Sequence, residues 1–65
     1  MRVMVYKGNT IVNDGIFDQL DDVIKHFNLY DIEHKLEAQR QNSIKLGLQT
    51  FSYSIDDFLY QISVE

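Results

Sequence analysis

Sixty-five residues, no cysteine and ten acids against six bases frame the reading as one domain, residues 1–65. Disulfides and thiolate metal sites are excluded outright, and a chain this short buries only about 60% of the surface its unfolded form exposes. A formal charge of −4 repels nucleic-acid phosphates and anionic lipid, so direct nucleic-acid binding is not expected.

A hydrophobic content of 45% separates the chain from compositionally disordered segments. No run approaches the ~20 apolar residues that cross a bilayer, and the apolar start, Met1 to Lys7, is too short for a signal h-region. A cytoplasmic protein without membrane contact is the expectation.

In chain order, the first element is a hairpin with strands at about 2–6 and 10–13. Val3 and Val5 alternate with Arg2, Met4 and Tyr6, and Thr10-Ile11-Val12 follows. Gly8-Asn9 between them suits a type II′ turn, in which glycine takes the φ > 0 position. That register sets Val5 against Val12 and Tyr6 against Ile11. Both faces of the ribbon are then partly apolar, whereas a half-exposed sheet shows one polar face. The Met4, Tyr6, Ile11 side is therefore expected to be covered, by the chain's own core or by a second copy.

A helix follows at about 15–28. Ile16, Leu20, Val23, Ile24 and Phe27 form one stripe at the 3.6-residue period. Asn13 or Asp14 is placed to cap it, with Val12 and Phe17 at the staple positions. Asp18, Asp21 and Asp22 precede Lys25 and His26, the order the helix dipole favours. Asn28 tolerates the left-handed conformation that ends many helices, and Leu29 could then fold back on Ile24.

The middle supports two readings. Residues 30–39 contain helix-favouring Glu, Lys, Leu, Ala and Gln, yet Tyr30, Ile32, His34, Leu36 and Ala38 alternate with polar neighbours at period two. A helix there would unite only Leu29, Ile32 and Leu36 on one face. The strand reading is adopted, paired with a second strand at about 43–53 through Ile44, Leu46 and Leu48. A turn at Arg40-Gln41-Asn42 would set Leu36 against Leu46, Glu37 against Lys45 and His34 against Leu48. A bulge near Thr50 would let Phe51 and Tyr53 take over the apolar role. A final helix at about 55–63 is read from Ser54-Ile55-Asp56-Asp57 as a capping box, Tyr53 and Phe58 as the staple, and Ile55, Phe58, Leu59 and Ile62 as the stripe. The fold class expected is α+β: a small antiparallel sheet with two helices on one face, in the order ββαββα.

Few residues suggest chemistry. Asp18, Asp22 and His26 recur every four residues and could project toward one cation, but a ladder along one helix lacks the closed ligand count a metal site needs. A solvated face with a weak Asp22–His26 pair is the simpler reading. Asp56 and Asp57 are adjacent, about 100° apart on a helix, and read as helix-start charges. His34 reads as a partly buried residue with a hydrogen-bond partner. There is no nucleophilic triad and no Gly-rich phosphate loop. No enzymatic activity, cofactor or metal is expected.

The function expected is that of a small acidic binding protein, regulating or inhibiting a larger macromolecule through a helix face at Asp18, Asp21 and Asp22. The alternative is a structural homo-oligomer, a dimer joined through Met4, Tyr6 and Ile11 of the first hairpin.

Overall fold

The computed structural model describes residues 1–64. Strand β1 (Arg2–Lys7) turns into β2 (Thr10–Ile16). Gly8 has φ +61° while Asn9 does not enter the positive region, as a II′ turn requires. Tyr6 faces Ile11, but the register shifts between Val5 and Tyr6, so Val5 faces Asn13 rather than Val12. Val12 is the extra residue of a bulge. Beyond it β2 continues to Ile16, and Phe17 and Met1 then exchange main-chain hydrogen bonds of 2.7 and 2.8 Å.

This longer strand corrects the start of the first helix. Asn13 and Asp14 are committed to the sheet and cap nothing, and Ile16 lies in β2 rather than on the helical stripe. Helix α1 runs only from Leu20 to Phe27, after an extended Gln19 that makes no side-chain cap bond. Its apolar face is the expected one: Leu20, Val23 and Ile24 are buried. Its end is also as read. Asn28 is left-handed (φ 56°, ψ 51°), and the Leu29 N–H donates to the Ile24 carbonyl at 2.9 Å, burying Leu29 in the core.

Residues 30–39 are not a strand. A 3-10 turn at Tyr30–Ile32 leads into helix α2, Glu33–Lys45. Residues from Glu33 to Gln41 are mostly strong helix formers with no β-branched member, and Glu37 accepts hydrogen bonds from Arg40 at 3.4 Å and Gln41 at 3.2 Å, one turn on. Propensity and the narrow Leu29, Ile32, Leu36 stripe outweigh the period-two alternation. The Leu36–Leu46 and Glu37–Lys45 cross-strand pairs and the 40–42 turn therefore do not exist. His34 is exposed on α2 rather than opposite Leu48. The helix ends through Gly47 (φ +74°), with the Leu48 N–H donating to the Ser43 carbonyl at 2.9 Å.

The second hairpin starts at Thr50, not near 43, and shows no bulge there: β3 is Thr50–Ile55 and β4 is Phe58–Ser63. The expected final helix over 55–63 is instead the end of β3, a turn and β4. Ser54 to Asp57 is no capping box; Asp56 and Asp57 form the hairpin turn, with Asp56 at φ 53°. Phe58, Tyr60 and Ile62 face one side and Leu59, Gln61 and Ser63 the other, a period-two pattern of β-favouring side chains. The element order is ββααββ instead of ββαββα, still α+β.

The sheet order is β2-β1-β4-β3, antiparallel at every step. Val3, Val5, Phe51 and Ile62 point to its inner face and join Leu20, Val23, Ile24, Leu29 and Leu36 in one buried cluster. Both helices thus cover the same side. Phe27 extends that layer, its ring 5.4 Å from Tyr60 and edge-on to it. Among the described residues no helix is long and apolar enough to cross a membrane.

The Asp56 turn distinguishes a hairpin from a helix start by the sign of one substitution. Asp56→Gly relieves a left-handed non-glycine residue, a strain of about 1 kcal/mol, partly offset by the entropy glycine gains in the unfolded chain. Urea denaturation should therefore show a gain of a few tenths of a kcal/mol. At a helix start the same change would lower stability.

Candidate binding surfaces

Asp18, Asp21 and Asp22 gather at the start of α1. Asp18 lies just before the helix, Asp21 and Asp22 in its first turn, and all are exposed except Asp22, which is half-buried. The buried Leu20, Val23 and Ile24 hold the helix by its other face, which is why these carboxylates point outward. The two ion pairs among the described residues are Arg2–Asp14 and Arg40–Glu37, and neither involves these three acids. A cation lies close by, however: Arg40 of α2 lines a small groove with Gln19, Leu20, Asp21 and Glu37. Its guanidinium reaches Glu37 at 3.4 Å, and its buried Nε has no hydrogen-bond partner among the described residues.

The Asp18, Asp22, His26 ladder is not assembled. Asp18 precedes the helix, and the His26 ring stands 5.2 Å from Phe17 and 4.7 Å from Phe27. Among the described residues no group of three or more His, Asp or Glu side chains is placed to hold a metal ion.

Met4, Tyr6 and Ile11 are brought together on the outer face of the sheet, the side without helices. Tyr6 lies between Ile11 of β2 and Leu59 of β4 in register. Met4 is two residues along β1, its sulfur 3.7 Å from the Tyr6 hydroxyl that donates to it. Ile11 is 51% exposed and Leu59 39%. An apolar row therefore crosses three strands on a face that would ordinarily be polar. Thr50, Ser52 and Ser54 on the same face of β3 do follow the polar rule. Leu59 is the member that the helix expected over 55–63 leaves out; the Phe58, Tyr60, Ile62 alternation is the signal that places it.

The row is bordered by Arg2 and Asp14, paired through two hydrogen bonds of 3.1 and 2.8 Å. Donation from the guanidinium holds the Asp14 carboxyl below the ordinary aspartate value and raises Arg2 in turn. On the inner face burial pushes the Tyr60 phenol up. Beside it, Tyr53 forms with Lys35, Ala38, Gln39 and Asn42 of α2 an open groove of about 380 Å3.

No family model matches the chain, and neither a curated protein nor a solved structure matches it.

The Asp14 shift has a direct readout. Because its folded value is depressed, the pair's contribution is present above the ordinary aspartate value of about 3.9 and is lost as pH falls through the lower folded value. Carboxyl-carbon NMR titration should place Asp14 below that ordinary value in the native chain and return it upward in Arg2→Gln. An Asp14 midpoint unmoved by Arg2→Gln contradicts the pairing.

Proposed function

We propose that this chain is a non-enzymatic binding protein, a regulator or inhibitor that engages a larger macromolecule through the acidic start of α1. The observation that carries the reading is the cluster of Asp18, Asp21 and Asp22 at the start of α1, which forms no ion pair among the described residues. Carboxylates fixed on a small helix raise the association rate of a basic partner and define its orientation. The dipole of α1 favours acids at this end, so the charges are compatible with the fold as well as with a partner. A chain without cysteine suits a cytoplasmic setting.

The test couples identification with charge reversal. Affinity capture from the native host followed by mass spectrometry names the partner. The triple change of Asp18, Asp21 and Asp22 to Lys should then weaken it at least tenfold, about 1.4 kcal/mol, and flatten its salt dependence. The corresponding triple change to Asn separates lost attraction from the helix destabilisation that lysines bring at this end. Equal affinity and equal salt dependence in all three proteins would reject the acidic surface.

A second reading is a structural homo-oligomer with no separate ligand, joined through the outer sheet face. The row Ile11, Tyr6, Leu59 with Met4 beside it favours this reading, since tyrosine and methionine are enriched at interfaces. Ile11→Thr combined with Leu59→Thr keeps β-favouring residues and should shift sedimentation to monomer. An unchanged profile removes this reading.

A further inference from the structure

We propose that β3 is the contact edge of a homodimer, in which two copies pair antiparallel about a two-fold axis at Ser52 and extend the sheet from four strands to eight. The proposal rests on neither reading above; it concerns an edge, not the acidic helix or the outer face.

The sheet has two free edges, β2 and β3. They are not equivalent. The β2 edge is broken by the bulge at Val12 and carries Asp14 clamped by Arg2, devices that discourage strand addition. The β3 edge has an unbroken register, no proline, and no charged residue from Leu46 through Ile55. Two chains of charge −4 meet there with the least like-charge repulsion.

The hydrogen-bond parity of β3 follows from one contact. The Gln49 carbonyl accepts from the Val64 N–H at 2.9 Å, so in an antiparallel ladder Phe51, Tyr53 and Ile55 bond across to β4. The main-chain N–H and C=O of Thr50, Ser52 and Ser54 then point to the open edge. The side chains of all three are exposed on the outer face.

These groups are self-complementary in one register. With Ser52 on the axis, Thr50 lies opposite the partner's Ser54, which forms about six main-chain hydrogen bonds. Phe51 comes opposite the partner's Tyr53, and Tyr53 opposite the partner's Phe51, on the helix side of both copies. Aromatic cross-strand pairs of this kind are favourable. Sliding by two residues one way calls on Asp56, which is in the turn at φ 53°. Sliding the other way calls on Leu48, whose N–H is already given to the Ser43 carbonyl. The groove that Tyr53 shares with Lys35, Ala38, Gln39 and Asn42 would become one half of a trough between two α2 helices.

An edge pairing of this length falls short of the ~1,000 Å2 of a stable interface, so the dimer is weak. Sedimentation equilibrium from about 10 μM to about 1 mM should show the native chain passing from monomer to dimer. Ser52→Pro removes an N–H that points away from β4, and Ser52→Lys sets two like charges face to face on the axis. Both should stay monomeric throughout with unchanged circular dichroism. If the proline variant fails to fold, the lysine variant decides. The chain has no cysteine, so Ser52→Cys takes a single pyrene whose excimer emission should appear with dimerisation, while Ile11→Cys gives none. A native chain still monomeric at the highest concentration, a Ser52→Lys variant that dimerises normally, or excimer emission from position 11 instead of 52 would each overturn the proposal. The last would place the contact on the outer face.

Discussion

The fold depends on the pairing of the first strand with the last. β1 and β4 are the two central strands, and Val3 and Ile62, opposite each other in the ladder, are both fully buried. The Arg2 N–H reaches the Ser63 hydroxyl at 2.7 Å across a separation of 61 residues. Each hairpin is a local structure that is marginal alone. Joined at their inner strands, they make one sheet whose inner face can hold two helices. Everything between residues 17 and 49 must span from the outer strand of one hairpin to the outer strand of the other, and two short helices over the inner face do so.

A one-sided sheet fixes where the burial can be. Nine apolar residues make the buried cluster, and all lie between the sheet and the helices. α2 contributes only Leu36 to it, and Ser43 is the one other residue it buries. It is held less by its own apolar face than by its flanks: the 3-10 turn before it, the Schellman-like end at Gly47, and the β3 strand it delivers. That explains why its sequence carries so weak a helical stripe. The physical demand on this segment is to be helical and to reach β3, which propensity satisfies without a wide apolar face.

The elements legible in the chain are those specified by neighbours. Gly8 fixes a II′ turn, Val3 and Val5 the inner face, and Asn28 with Leu29 the helix end, each within a few residues. Met4, Tyr6 and Ile11 were legible as a patch for the same reason, since one local hairpin brings them together. In the middle and at the end of the chain two periods fit the same letters. Leu29, Ile32 and Leu36 are helical while Tyr30 to Ala38 alternate; Ile55, Phe58, Leu59 and Ile62 are helical while Phe58, Tyr60 and Ile62 alternate. In the second case the alternation is present locally, but the partner that decides for it is β1, at the far end of the chain. Leu59 joins the outer row only once residues 58–63 are a strand, and β3 has an open edge only once residues 33–45 are a helix as well.

The outer row also serves the sheet itself. Tyr6 sits at the middle of three strands, with Ile11 and Leu59 as its registered neighbours, and such cross-strand contacts contribute roughly 0.2–1 kcal/mol each. In a chain whose single core is near the lower limit for independent folding, that support matters. The apolar row therefore runs from Ile11 of β2 through Tyr6 of β1 to Leu59 of β4 and gives way to Thr50, Ser52 and Ser54 on the edge strand β3. The two features that favour association arise from the same constraint. The central strands keep an apolar face because the core is small, and the edge strand is left polar in side chain but open in backbone. A partner recognised by β3 would read main-chain groups, whereas one recognised by the outer face would read Tyr6 and its neighbours. The first surface lies along the open edge of the sheet and the second on its helix-free face.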